Sequence, residues 1–357
     1  MKASKIIIVI VVVVVIVIAA LAALSLLVPS GPSSKAWNTA YGYPIEVDDA
    51  FGVGGQQCGS SGTYVYCVGG ADADGGPRNT VYADTLSSSG NITNWIATAG
   101  TYPDNIYAQS CVTSSGYVYC VGGSYDPAGD DVASSFYAPL PSGGPVGNWT
   151  ATTSYPVPID SESCVASSSY IYCVAGNNET DGTYADSTNS SAVYFASLSS
   201  NGIGAWKPST PYPSDVLYPT CFSSGGYIYC VGGADTADNA VSAAYYAPLT
   251  SSGVGAWTAT TSYKVTASGQ SCAVYSGYVY CVGGEGGSSF ISGVYYAPLT
   301  SAGIGSWTQA SSYPLSVETT CVVASGNLYC VGGFNNGGEY NNVYYASLSA
   351  LTTAATT

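Results

Sequence analysis

Residues 111–123 read Cys111-Val-Thr-Ser-Ser-Gly-Tyr-Val-Tyr-Cys120-Val-Gly-Gly123, and this stretch decides the fold. A two-residue turn at Ser115-Gly116 sets Ser114 opposite Tyr117, Thr113 opposite Val118, Val112 opposite Tyr119 and Cys111 opposite Cys120. Hydrogen-bonded and non-hydrogen-bonded pairs alternate away from the turn, starting with a bonded pair at Ser114 and Tyr117, so the cysteines meet at a non-bonded pair. There the Cα atoms lie about 4.5 Å apart, within reach of a disulfide.

The same arithmetic pairs Cys58 with Cys67, Cys164 with Cys173, Cys221 with Cys230, Cys272 with Cys281 and Cys321 with Cys330. It centres the other turns on Gly62-Thr63, Ser168-Ser169, Gly225-Gly226, Ser276-Gly277 and Ser325-Gly326. The pairing predicts six intrablade disulfides, that of Cys111 with Cys120 included. Metal ligation and redox catalysis do not use C-x8-C copied six times, and an exterior location favours oxidation.

Around each pair the chain repeats. The second cysteine closes a YVYCVGG-like string, VYYAPL or a near copy follows (Val294–Leu299), then a glycine-rich link to a Trp (Ser251–Trp257), a Tyr, usually a Pro, and the next cysteine. A period of about fifty residues is that of four-stranded propeller blades. A strand ending in Gly-Gly, then a spaced Tyr, then a spaced Trp resembles the kelch repeat. Gly-Gly stands at 69-70, 122-123, 232-233, 283-284 and 332-333, while the third repeat reads Val174-Ala-Gly176. The resemblance covers residues 37 to about 350. It implies an all-β, six-bladed β-propeller with four antiparallel strands per blade, and constrains function loosely, since kelch-like domains include binding modules and enzymes.

Tryptophan positions predict how the ring closes. Trp95, Trp149, Trp206, Trp257 and Trp307 each follow the third strand of blades one to five, but none follows Asn342–Leu348 in blade six. The missing fourth strand stands at the other end as AWNTAYGYP (36–44), which is expected to pair with VYYASL.

The chain opens MKASK (1–5) and runs without charge from Ile6 to Val28. As a helix, 6–28 extends about 34 Å at about 1.5 Å per residue, enough to cross a hydrocarbon core of about 30 Å. Lys2 and Lys5 place the N-terminus in the cytoplasm and the rest outside. A cleaved signal peptide with Ala20-Leu21-Ala22 as its site is the competing reading, and the long apolar run favours a retained anchor. The basic start before an Ile/Val helix resembles a type IV pilin-like leader. Residues 29–35 read as a stalk, 36–350 as the propeller and 351–357 as a tail. The expected setting is a single-pass cell-surface protein with the propeller extracellular.

The 33 Tyr and 44 Gly suit strands and turns, and charged residues are only 8% of the chain against about 25% in ordinary soluble proteins. The net charge of -15 excludes nucleic acid as a partner, because a phosphate backbone demands Lys and Arg. A sparsely charged surface with no His fits an acidic exterior, where every exposed imidazole would be charged.

Links between strands two and three and links between blades fall on one face of a propeller. Asp72, Asp74, Asp126, Asp130, Asp131, Glu179, Asp181, Asp186, Asp235, Asp238, Glu285 and Glu339 fall in the first set. Glu46, Asp48, Asp49, Asp104, Asp160, Glu162, Asp215 and Glu318 fall in the second, leaving only Asp84 elsewhere. Longer loops hold more polar residues in any protein; a functional reading is a face that focuses negative potential on a cation or a basic partner. Asp72, Asp74, Asp130 and Asp131 offer oxygens at spacings Ca2+ could use, but complete no twelve-residue calcium loop. Sequons at Asn91, Asn148, Asn178 and Asn189 fall in links expected to be exposed to glycosylation.

The absence of His removes the commonest general base and the Ser-His-Asp triad, and all twelve cysteines have structural partners. The first expectation is a membrane-anchored module that recognises a surface protein or glycan through its acidic loop face. The alternatives are a structural coat or filament component, and a carboxylate-based glycosidase using Asp160 and Glu162 near the axial opening.

Overall fold

The computed structural model describes residues 36–44, 55–71, 76–125, 130–178 and 188–353. The expected membrane helix 6–28, the stalk, and Asp72, Asp74, Asp126, Glu179, Asp181, Asp186, Glu46, Asp48 and Asp49 lie outside the described residues. Among the described residues no helix is long and apolar enough to cross a membrane.

Turn chemistry sets the hairpins. Ser115 and Gly116 both take positive φ (50° and 80°), as do Gly225 with Gly226, Ser276 with Gly277 and Ser325 with Gly326, the signature of a type I′ turn. Gly62-Thr63 and Ser168-Ser169 carry no Gly at the second position, and there only the first residue turns positive. The register that follows is the expected one in every blade, with Cys111 opposite Cys120 and Ser114 opposite Tyr117 in blade two.

All six expected disulfides form. Cys58 is bonded to Cys67, Cys111 to Cys120 and Cys164 to Cys173 in blades one to three. Cys221 is bonded to Cys230, Cys272 to Cys281 and Cys321 to Cys330 in blades four to six. Their Cα atoms lie 4.0–4.1 Å apart, closer than the approximately 4.5 Å of an unbridged non-bonded pair. The bond draws the two strands together. Cys67, Cys120, Cys173, Cys230, Cys281 and Cys330, on the second strands, are completely buried in the seams between blades.

Each hairpin is extended by a third strand and a two-residue fourth strand. Blade two comprises Ser110–Ser114, Tyr117–Val121, Ser135–Pro139 and Thr150–Ala151, and six such antiparallel sheets make the propeller. The inner strands stand side by side around the axis, with that of blade six, Glu318–Ala324, beside that of blade one, Gln57–Ser61. Blade six borrows its outer strand from the N-terminus, where Asn38 pairs with Tyr345 and Thr39 with Tyr344. A short helix, Leu348–Thr353, then buries Leu348 and Leu351 against blade six.

The core is divided into six apolar seams, one between each pair of neighbouring blades. One aromatic device recurs in all of them. The Tyr six or seven residues after each Trp packs edge-on against the Trp of the next blade: Tyr43 on Trp95, Tyr102 on Trp149, Tyr155 on Trp206, Tyr212 on Trp257, Tyr263 on Trp307 and Tyr313 on Trp37. Ring centroids lie 4.8–5.0 Å apart at 75–88°. In five seams the indole Nε1 also donates to the carbonyl two residues before that Tyr, as from Trp37 to Ser311 at 3.3 Å. The Trp149 indole makes no such bond. Its seam is the one where Trp95 and Tyr102 are seven apart, so the extra residue around Gly100 moves the acceptor. Second-strand tyrosines add a bond to the following blade, from Tyr119 to the Ser199 carbonyl (2.8 Å) and from Tyr172 to that of Thr250 (2.7 Å).

Trp37 therefore closes the ring, whereas a disulfide braces only its own hairpin. Trp37→Ala is expected to cost about 3–5 kcal/mol in denaturant unfolding and to speed amide exchange at Ala40 and Tyr43, whose amides bond the Val343 and Asn341 carbonyls of blade six. Converting Cys58 and Cys67 to Ser is expected to cost about 2–3 kcal/mol without freeing that strand. Equal protection of the strand in the Trp37 variant and the parent would show that closure lies elsewhere.

Candidate functional site at the channel mouth

Backbone bridges bring the two classes of link onto one face. Tyr107 pairs with Ser124, Asp160 with Asn177, Leu217 with Ala234 and Ser268 with Glu285, each joining a blade-to-blade link to a strand two–three link. At this face the inner strands begin, and the residue two positions before each one turns left-handed in five blades: Gly55, Ala108, Ser161, Tyr218 and Gly269, with φ from 49° to 68°. Three of the five are not glycine, so the conformation is held against its intrinsic cost of about 1–3 kcal/mol each. The amide of Ala108 donates to the Gly55 carbonyl and that of Ser161 to the Ala108 carbonyl, which links the starts of blades one to three.

One step inside lies a belt of hydroxyls. Ser110 accepts from the Cys164 amide at 2.9 Å, Ser163 from Cys221 at 2.9 Å and Ser271 from Cys321 at 2.8 Å. Thr220 donates to the Gln270 carbonyl, and Thr320 to that of Gln56 at 2.7 Å. The Ser or Thr directly before the first cysteine thus stitches its inner strand to the next. Blade one has Gln57 there. That Ser/Thr recurrence was the sequence signal for the belt, and the expected site did not use it.

The mouth encloses a cavity of about 470 Å³, lined by these strand starts together with Tyr107, Tyr218, Phe334, Glu162, Glu318 and Glu339. Among the described residues of the expected acidic face, only those three glutamates line it. Glu339 lies on the third strand of blade six opposite Phe334, and Glu285 on a small hairpin opposite Phe290, so both are strand residues where links were expected. Asp131 is buried and bridged to Ser124, and Asp130 is exposed. Asp235 folds back on its own loop, accepting from the Ala237 and Asn239 amides at 2.9 Å, which holds its carboxyl below the usual range. Exposed Asp238 takes φ 60° in the same turn. Asp104 accepts from Ser134 (3.2 Å), and Asp215 stands exposed.

Among the described residues no three acidic or sulfur side chains gather as a metal site. Asp84 belongs to the other face, where it accepts from the Thr93 amide (2.6 Å) and the Asn94 amide (2.9 Å) and so fastens a link. Asn148 is exposed, and Asn91, Asn178 and Asn189 are half-buried.

The carboxyl oxygens of Glu162 are out of contact with solvent, as is one oxygen of Asp160. Glu162 therefore offers no exposed carboxyl oxygen to a polymer in the channel. Glu318 lies against Gly269; burial, aided by the nearby Glu285 charge, pushes its carboxyl up to about 8. Folding therefore favours its neutral form. Its contribution to stability is full below about pH 4.5 and is lost as pH rises toward 8. Carbon-13 NMR is expected to show one glutamate titrating near that value and vanishing in Glu318→Gln; a set of glutamates all titrating near 4.5 would refute the assignment.

No protein-family model and no curated protein matches this sequence, and what the blade arrangement shows is a six-bladed β-propeller.

Proposed function

We propose that this chain is a recognition module, a β-propeller held outside the cell by its apolar N-terminal segment and gripping a protein partner over the channel mouth. The observation that carries the reading is the 470 Å³ cavity rimmed by Tyr107, Tyr218 and Glu339, set on a backbone ring strained at Ala108, Ser161 and Tyr218. Left-handed non-glycine residues that lie outside the hairpin turns and ring this mouth support a surface shaped for more than stability. Tyr218 leaves 43% of its surface open, and tyrosine is among the residues that most often carry binding energy. Glu339 in the wall favours a basic group on the partner. Six disulfides fit an oxidising exterior.

Two experiments test this. Proximity labelling from the propeller on living source cells is expected to mark a partner protein, and Tyr107→Ala with Tyr218→Ala to reduce that labelling at least about tenfold. Labelling of its own copies alone, unchanged in the variant, would replace the reading with a surface coat, and a partner lost on deglycosylation would make the ligand a glycan. Alkaline carbonate is expected to leave the whole chain in the membrane fraction and to release a version beginning at residue 29; release of both would remove the anchor.

A further inference from the structure

Two residues before the first cysteine of each blade stand Gln56, Gln109, Glu162, Pro219, Gln270 and Thr319. The three glutamines share one task. Each sends its Nε2 across the seam to the carbonyl of the valine that closes the second strand of the preceding blade: Gln56 to Val331 (2.7 Å), Gln109 to Val68 (2.9 Å) and Gln270 to Val231 (2.7 Å). These are buried bonds between blades, at the level where the channel opens.

Glu162 occupies the same place. A Cβ added at Gly69 would lie 3.0 Å from Gln109 Nε2, one at Gly232 would lie 2.6 Å from Gln270 Nε2, and one at Gly122 would lie 3.0 Å from Glu162 Oε1. A carboxyl oxygen thus stands where the amide nitrogen stands, and the equivalent acceptor is the Val121 carbonyl. Where no such side chain exists, the packing differs: Pro219 cannot donate, and the glycine facing it is replaced by Ala175, buried at φ 61°.

An ionised carboxylate only accepts hydrogen bonds, so it cannot bond a carbonyl; the neutral acid has one O–H to give. Glu162 is 6% exposed, and neither carboxyl oxygen has a well-formed partner. We propose that Glu162 is a proton-operated latch between blades two and three, donating as the neutral acid to the Val121 carbonyl and releasing that seam of the mouth when it ionises.

The surroundings are consistent with the neutral form. Burial pushes the carboxyl well above its ordinary range. The amides of Glu162 and Ser110 oppose this, while Asp160 on the same link and Asp131 from blade two add to it. The other titratable groups facing it are the phenols of Tyr102 and Tyr155, which are also buried. The unfolded chain loses this proton near pH 4.5 and the folded chain loses it at higher pH. The latch therefore contributes fully below that pH and progressively less above it. The inference is independent of what the mouth binds.

Melting temperatures of the parent, Glu162→Gln and Glu162→Ala between pH 4 and 8 test it. Glutamine carries a permanent donor. The Gln variant should match the parent at pH 4 and exceed it by about 2–4 °C at pH 8, with Ala below Gln at every pH. Comparing variants with the parent cancels the titration of Glu318. Amide exchange at Gly122 and Gly123, corrected for intrinsic rates, should quicken with pH in the parent and not in the Gln variant. A parent–Gln difference that does not change with pH, Gln behaving like Ala, or a Gln variant that fails to fold would each overturn the proposal.

Discussion

A blade of this propeller cannot bury its own faces. Each sheet is apolar on both sides, so every seam is built half from one blade and half from the next. The edge-on contact between a Trp and the Tyr supplied by the preceding link recurs at all six seams. Such pairs add about 0.5–1.5 kcal/mol each beyond their buried area, and they also fix the angle at which blades meet. The hydroxyl belt and the channel mouth both presuppose that angle.

The division of labour between covalent and non-covalent links follows from this. The disulfides join strands already adjacent in sequence and stiffen six hairpins independently. Cohesion between blades rests on aromatic rings, on tyrosine hydroxyls reaching carbonyls, and on the belt. Near the axis, where side chains are small, hydroxyls and Gln amides replace rings. Glu162 is the one place in that inner tier where a titratable group holds the position of a neutral donor.

Much of this was written in the sequence because it is local or periodic. The cysteine spacing fixed the hairpin register through turn geometry, and the lack of a Trp after the third strand of blade six located the closing strand at the opposite end of the chain. The site was harder to read. Sorting acids by link could not show that Asp235 turns back on its own loop, that Asp131 is buried, or that Glu339 sits on a strand. Left-handed residues such as Ala108 and Tyr218 carry no local signature, because the backbone bonds of their neighbours impose the conformation. The role of Glu162 becomes visible only when six copies are overlaid in space and a carboxyl oxygen is found where an amide nitrogen belongs.

The closing strand also sets an order of events. Asn38 and its partner Tyr345 stand about 300 residues apart, and at about 5–20 residues per second the first waits roughly 15–60 s for the second to be made. Hairpins can form and oxidise during that interval, each from its own ten residues. The seams at both ends of the growing arc stay open until the last blade arrives. Ring closure is thus the late, long-range step of folding, and until it occurs the chain presents two unsatisfied apolar faces to its surroundings.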